Sequence, residues 1–106
     1  MKSKSRRYEV LLPVRFNDGS EVPEELLGQA VNEIVEQFNA VTFYKEAVEG
    51  RWRHDETLFS DDLALIVVDV PDTTKNRTWM KAFKARWKKR LEQLEIWMVS
   101  YRIDIE

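Results

Sequence analysis

The 106-residue sequence contains no cysteine, one histidine, three glycines and three prolines. The absence of cysteine excludes disulfides, thiolate chemistry and zinc sites built on cysteine. With His54 as the single histidine, the usual catalytic triads are excluded unless that residue serves as the base. No glycine-rich phosphate loop, nucleophile elbow or zinc-protease motif occurs. We therefore predict no catalytic residues and no cofactor.

Long apolar segments are also missing. The longest run, Leu63–Val68, is far too short to cross a bilayer. The first seven residues are basic, as at the start of a signal peptide, but the apolar segment Tyr8–Val14 is short, contains an acid and a proline, and lacks a cleavage site. We expect no membrane segment and a cytoplasmic location. Residues 1–7 are interpreted as a basic flexible tail and residues 8–106 as one domain.

The charges are unevenly distributed along the chain, although the formal net charge is only −2. Of the 17 lysines and arginines, 12 lie in the tail or in Thr74–Leu94, and only one of the 19 acids lies there. Segregation of this kind bears on association and non-specific binding rather than on fold. It therefore has to be explained by a partner or by a neighbouring acidic element.

The first half of the chain has the pattern of a strand, a helix and a second strand. Tyr8–Phe16 alternates with a period of two, which predicts a strand. Pro23–Phe38 has an apolar stripe at helical spacing and an acidic outer side. Val41–Val48 is rich in β-forming residues but carries charges, as edge strands do.

The second half repeats this pattern. Leu63–Val70 is apolar on both faces, which predicts a central strand. Thr74–Leu94 predicts a basic helix whose apolar stripe includes Trp79 and Trp87, and Glu95–Ile105 predicts a last strand, again apolar on both faces. Two strand–helix–strand units with right-handed crossovers predict an α+β, ferredoxin-like βαββαβ fold. Its four-stranded antiparallel sheet would carry both helices on one face.

The succession of motifs resembles uncharacterised bacterial families of small ferredoxin-like proteins of unknown function. The residues that carry the resemblance are aromatic and turn residues spread over nearly the whole chain: Phe16-Asn-Asp-Gly19, Gly50-x-Trp52, Ile66-Val-Val-Asp69, Pro71-Asp72 and Phe83-Lys-Ala-Arg-Trp87 with Arg90 and Gln93-x-Glu95-x-Trp97. The resemblance implies the same fold and a bacterial source, and it implies no activity.

The basic helix offers a candidate nucleic-acid surface. Five of its cations form the predicted basic surface: Lys81, Lys84, Lys88, Lys89 and Arg90. Together with the basic tail they could contact phosphates. In the predicted fold, however, the basic helix lies beside the acidic one, so mutual attraction explains part of the segregation. Nucleic-acid binding is therefore kept as an alternative and is not favoured.

The face of the sheet opposite the helices is the most informative feature. It would expose either a set comprising Leu11, Ala64, Ile66, Val68, Ile96 and Met98, or the opposite set. An apolar patch of this size on a monomer marks an interface or a ligand cleft. We expect a homodimer formed through this face. A pocket between the two sheets would be lined or rimmed by Tyr44, Arg51, Trp52 and Arg102.

One group of residues has metal-binding chemistry. His54-Asp55-Glu56 lies close in sequence to Asp61-Asp62, and a histidine with carboxylates can hold a divalent cation. Polar hairpin tips commonly have the same composition, so we predict no metal site.

Taken together, these features predict a small homo-oligomeric interaction or binding module without catalytic machinery that can be recognised. A nucleic-acid binder is one alternative. A small cofactor-free enzyme or ligand binder of the dimeric α+β barrel type is the other.

Overall fold

The computed structural model describes residues 4–106, apart from the side chains of residues 46 and 47. The elements are β1 (Ser5–Pro13), α1 (Glu24–Phe38), β2 (Thr42–His54), β3 (Thr57–Pro71), α2 (Thr74–Arg90) and β4 (Met98–Ile103). The strands form one antiparallel sheet in the order β2-β3-β1-β4. The predicted ferredoxin-like α+β fold is confirmed, and the central and edge strands are those predicted.

The core lies between one face of this sheet and the two helices. Val10 of β1 pairs with Ile66 of β3, and both side chains are fully buried. Because side chains alternate along a strand, every second residue of β1 and β3 points to this same side. Ile34 of α1 and Phe83 and Trp87 of α2 complete the core from the helical layer. The two helices therefore cover one face of the sheet, as predicted.

The first strand differs from the prediction at both ends. It begins earlier, at Ser5, so Arg6 and Arg7 pair with β3 and β4 and do not belong to the predicted tail. Pro13, which has no backbone N–H to donate, is its last residue. The division into a tail and a domain otherwise stays a prediction, and residues 1–3 lie outside the described part of the chain.

The first helix begins and ends at residues suited to those positions. Pro23 occupies the cap position, and its carbonyl oxygen accepts a hydrogen bond from the N–H of Leu26 at 3.0 Å. At the other end Asn39 has a φ of 66°, and its N–H donates to the carbonyl of Val35 at 2.7 Å. Neither helix of residues 4–106 has the length and apolar composition needed to cross a bilayer.

The second helix ends at Arg90, before the predicted end at Leu94. The N–H of Gln93 donates to the carbonyl of Lys88 at 2.9 Å, and Glu92 has a φ of 54°. This is the Schellman arrangement, in which a left-handed residue turns the chain out of the helix. The turn leaves Leu94 92% exposed, whereas the sequence pattern placed it on the apolar stripe.

The last strand is shorter than the predicted Glu95–Ile105. The segment before it is extended but does not pair fully: Ile96 is buried in the core, and the carbonyl of Trp97 accepts a hydrogen bond from the N–H of Leu11 at 2.9 Å. Regular pairing with β1 begins at Met98.

The hairpin formed by β2 and β3 is longer than predicted. The sequence pattern ended β2 at Val48, but pairing continues to His54 and Thr57. Asp55 and Glu56 join the strands with φ values of 49° and 68°, as in a two-residue type I′ turn. Side chains near the tip are all exposed, and the molecule measures 49 Å along its longest axis. The hairpin therefore projects beyond the helical layer.

Two isoleucine-to-alanine variants test the position of the core. Ile66→Ala should lower the free energy of unfolding by about 2–5 kcal/mol, because the side chain is fully buried between sheet and helices. Ile105→Ala removes the same atoms from a side chain that is 59% exposed. We expect a change within about 0.5 kcal/mol for this control. Urea denaturation followed by circular dichroism measures both, and equal losses would contradict the core described above.

Candidate functional site

The sheet face that the helices leave uncovered, here called the open face, is divided into an apolar and a polar part. One continuous line of side chains runs across three strands to the segment before the fourth: Tyr44 of β2, Leu65 of β3, Leu11 of β1 and Trp97 before β4. We call these four residues the apolar row. Leu63 and Val48 continue the apolar part toward the hairpin.

The members of the apolar row at its two ends are strongly exposed. Tyr44 is 47% exposed and Trp97 is 64% exposed. The sequence left open which of two sets of residues forms this face. The set of Ala64, Ile66, Val68, Ile96 and Met98 does not form it, and residues of the opposite alternation do. Leu11, predicted with the first set, nevertheless lies on the open face. Ala64 and Ile66 face the helices instead, because the register pairs Leu12 with Ala64 and Leu11 with Leu65.

The polar part of the open face contains two hydrogen-bonded pairs. Arg7 donates to both carboxylate oxygens of Asp69, at 2.8 and 3.0 Å. The hydroxyl of Tyr101 donates to the carboxylate of Glu9. Cross-strand pairing brings these four residues together, because Arg7 lies between Asp69 on β3 and Tyr101 on β4. The Arg7–Asp69 pair is neutral, whereas Glu9 has no cationic partner among the described residues, so the four side chains together carry one formal negative charge.

The hydrogen bond to Glu9 raises the pKa of Tyr101 above its ordinary value of 10.0, since ionising the phenol would place two negative charges side by side. Arg7, close to Tyr101, acts in the opposite direction more weakly. The pKa of Arg7 is itself raised by its hydrogen bonds to Asp69. At neutral pH Tyr101 is therefore a neutral phenol and Arg7 a guanidinium.

The projecting hairpin carries a second group of exposed apolar side chains. Trp52 and Phe59 stack with ring centroids 4.4 Å apart, and the indole nitrogen of Trp52 donates to Asp61 at 2.7 Å. Leu58, which precedes Phe59 and therefore points to the opposite face of the hairpin, is 57% exposed. Gly50, two residues before Trp52 on β2, lies close to the side chain of Leu63 on β3. A Cβ at Gly50 would be only 2.9 Å from Cδ1 of Leu63.

The four residues predicted to line a pocket do not come together within one chain. Tyr44 and Trp52 lie on the same side of β2 as the open face. Arg51 follows the opposite alternation and pairs with Glu49. Arg102 lies across the sheet on β4 and donates to Asp72. A pocket containing all four, which would need a second copy of the chain, stays a prediction.

The predicted basic surface is partly neutralised by its neighbours. Arg90 approaches Glu33 of α1 at 3.8 Å, and Lys84 pairs with Glu95 at 3.0 Å. Lys81, Lys88 and Lys89 form no ion pair within residues 4–106. The stripe of cations on α2 is therefore only partly available to an external anion.

Glu33 connects the two helices, as the predicted attraction between them requires. Arg86 donates to it at 2.8 Å and the indole of Trp87 donates to it at 2.7 Å. A groove of about 540 Å³ between the helices is lined by Glu33, Arg86, Gln29 and Trp79 among others. It lies on the far side of the molecule from the open face.

The His54 group does not assemble into a metal site in the described part of the chain. His54 approaches Asp55 at 3.2 Å, and both side chains are at least 70% exposed at the hairpin tip. Within residues 4–106 no group of three or more histidines and acids is placed to hold a cation.

A cluster of arginines around Asp72 escaped the sequence analysis. Arg6 and Arg102 donate to its two carboxylate oxygens at 2.9 and 3.1 Å, and Arg77 approaches at 4.0 Å. We call these four residues the Asp72 cluster. They come from β1, β4, α2 and the segment between β3 and α2. The sequence around Asp72 alone indicated only a candidate helix cap after Pro71, because the arginines are distant along the chain.

Comparison with known proteins supports the fold and leaves the function open. No family model matches the sequence, and no curated protein matches it. Among solved structures, CutA1 from Oryza sativa is similar over 98% of this chain and 84% of its own, with 12% identity and a TM-score of 0.68. The divalent cation tolerance protein CutA1 from Thermus thermophilus is similar over 96% of this chain and 86% of its own, with 16% identity and a TM-score of 0.66.

A third similar structure is that of a protein with a different name. A phage SAM lyase in complex with S-methyl-5'-thioadenosine is similar over 100% of this chain and 94% of its own, with 11% identity and a TM-score of 0.70. At these identities the likeness shows the shared fold alone.

The Glu9–Tyr101 pair can be tested by titration. Because the folded pKa of Tyr101 is raised, the pair stabilises the fold fully below pH 10, and this contribution is lost as pH rises through the raised pKa. Glu9→Gln should lower the pKa of Tyr101 toward its ordinary value. Ultraviolet difference titration, with Tyr101→Phe to identify the signal, measures the shift. An unchanged pKa in Glu9→Gln would mean that the carboxylate does not control the phenol.

Proposed function

We propose that this protein is a homo-oligomeric binding module that self-associates through its open face. The carrying observation is the apolar row, which runs across three strands to the segment before the fourth while its end residues, Tyr44 and Trp97, remain 47% and 64% exposed. Large aromatic side chains left exposed to water at the ends of a continuous apolar surface are characteristic of interfaces. A homodimer is the simplest such assembly.

A second copy of the chain fits this face better than a charged partner. The polar part of the open face carries only one formal negative charge, since Arg7 pairs with Asp69 and the carboxylate of Glu9 accepts a hydrogen bond from the neutral hydroxyl of Tyr101. Each copy therefore brings a single unpaired charge, that of Glu9, and the rest of the contact consists of apolar or paired groups. The projecting hairpin adds Trp52 and Phe59 to the surface that an adjacent copy can cover.

One charge placed in the apolar row tests the proposal. We expect wild-type protein to have a solution mass of at least two chains of 12.7 kDa each. The mass should be the same at low salt and at about 0.5 M salt, because salt does not screen apolar contacts. Leu65→Glu should shift the mass to that of one chain, since the carboxylate would be buried unpaired in the contact. Light scattering measures the mass, and circular dichroism verifies the fold.

The matched control places the same charge elsewhere. Gln37→Glu, on the exposed surface of α1, should leave the assembly intact. Trp97→Arg, at a side chain that is 64% exposed, disrupts the same face with less risk to the monomer's own packing. A wild-type protein with the mass of one chain at high concentration would refute the proposal. So would folded Leu65→Glu and Trp97→Arg variants that remain assembled.

A second candidate function is binding of a small adenosine thioether between the associated sheets. It is favoured by the similarity of the whole chain to the phage lyase, whose structure is that of a complex with S-methyl-5'-thioadenosine. In this chain, the exposed rings of Tyr44, Trp97 and Tyr101 are flat surfaces on which a purine can stack. The carboxylate of Glu9 lies beside Tyr101, and that of Asp69 lies beyond Arg7 on the next strand.

Calorimetric titration with S-methyl-5'-thioadenosine tests this candidate. We expect the assembled wild-type protein to bind it, and Trp97→Ala to bind about fivefold or more weakly, since stacking on one ring is lost. Leu94→Ala, which also shortens a strongly exposed side chain, is the control and should bind as wild type. Absence of heat at millimolar ligand with assembled protein would exclude this function and leave the self-association standing.

A further inference from the structure

The arginines of the Asp72 cluster carry more positive charge than the single carboxylate of Asp72 can neutralise. Arg6, Arg77 and Arg102 make their ion pairs within residues 4–106 with Asp72 alone. Three guanidiniums therefore share one carboxylate, and the cluster keeps a local excess of two positive charges. The protein as a whole has a formal net charge of −2, so this excess is a local arrangement and does not follow from composition.

The arginines are held in a way that leaves their outer nitrogens available. Arg102 contacts Asp72 through Nε, and neither of its terminal nitrogens has a hydrogen-bond partner within the described residues. Arg6 also uses Nε for Asp72 and one terminal nitrogen for the hydroxyl of Ser100, at 3.1 Å. A guanidinium carries five N–H donors, so several of them remain unused.

Asp72 acts here as an internal anchor. Its side chain is only 10% exposed, and its pKa is held below the ordinary value, first by the hydrogen bond from Arg6. It thus remains ionised at neutral pH and fixes Arg6 and Arg102 beside each other. Arg102 is 66% exposed, so its ion pair with Asp72 is expected to add little to stability.

We propose that the Asp72 cluster is a binding site for a phosphate group. Planar guanidiniums held side by side with free terminal N–H groups match the oxygens of phosphate, which accept bidentate hydrogen bonds. Arg77 and Arg102 are 48% and 66% exposed and so can reach a ligand. The alternation of β4 places Arg102 on the opposite side from Tyr101, so the site is independent of the open face and of the proposed self-association.

Two probes distinguish the possible sources of the phosphate. Pyrophosphate represents small phosphorylated compounds, and a short single-stranded oligonucleotide represents the nucleic-acid backbone. We expect wild-type protein to bind at least one of them in calorimetric titration at low salt. Arg102→Gln and Arg77→Gln should each weaken that binding about tenfold or more, because a charge-assisted hydrogen bond is lost.

The control removes one positive charge from α2, the helix that carries Arg77. Lys89→Gln, at an exposed residue without an ion pair in the described chain, should change pyrophosphate binding by less than about twofold. Arg102→Lys keeps the positive charge but loses the planar fork of N–H donors. Its affinity for pyrophosphate should therefore be close to that of Arg102→Gln.

Each outcome bears on the site. Cluster-dependent binding of pyrophosphate alone assigns it to small phosphorylated ligands, and cluster-dependent binding that is tighter for the oligonucleotide and falls with salt assigns it to nucleic acid. Binding that is equal in wild type, Arg102→Gln and Arg77→Gln would overturn the proposal. Failure of wild type to bind either probe at millimolar concentration would do the same.

Discussion

The antiparallel register between β1 and β3 is the constraint on which the other features of this protein depend. It pairs Val10 with Ile66 and Leu11 with Leu65, and because side chains alternate, the first pair meets the helices while the second remains on the open face. A slip of one residue would exchange the two sets. The burial of the core and the composition of the open face are thus consequences of one pairing.

Two carboxylates organise the uneven charges of the chain. Glu33 accepts from Arg86 and from the indole of Trp87, so it joins the acidic helix to the basic one beside the core. Asp72 joins the first strand to the last one through arginines. Part of the charge segregation seen in the sequence is therefore neutralised within the molecule. Internal pairing among the described residues leaves two parts un-neutralised: the surplus around Asp72, and Lys81, Lys88 and Lys89 on α2.

The order and type of every element could be predicted from the sequence, whereas several boundaries could not. The apolar periods of β3 and α2 extend over enough residues to identify them. The outer hairpin lacks such a signal, because its side chains are exposed on both faces and its pairing depends on backbone hydrogen bonds. The end of α2 at Arg90 depended on a left-handed turn at Glu92, a residue with no marked preference for it.

The sequence by itself determined the alternation of the strands, the apolar stripes of the helices and hence the fold, because these periods are properties of neighbouring residues along the chain. The tertiary structure decided which residues meet. The apolar row and the Asp72 cluster each combine residues from several separate elements. No local pattern specifies such encounters, since they depend on strand register and on how a helix end lies against the sheet.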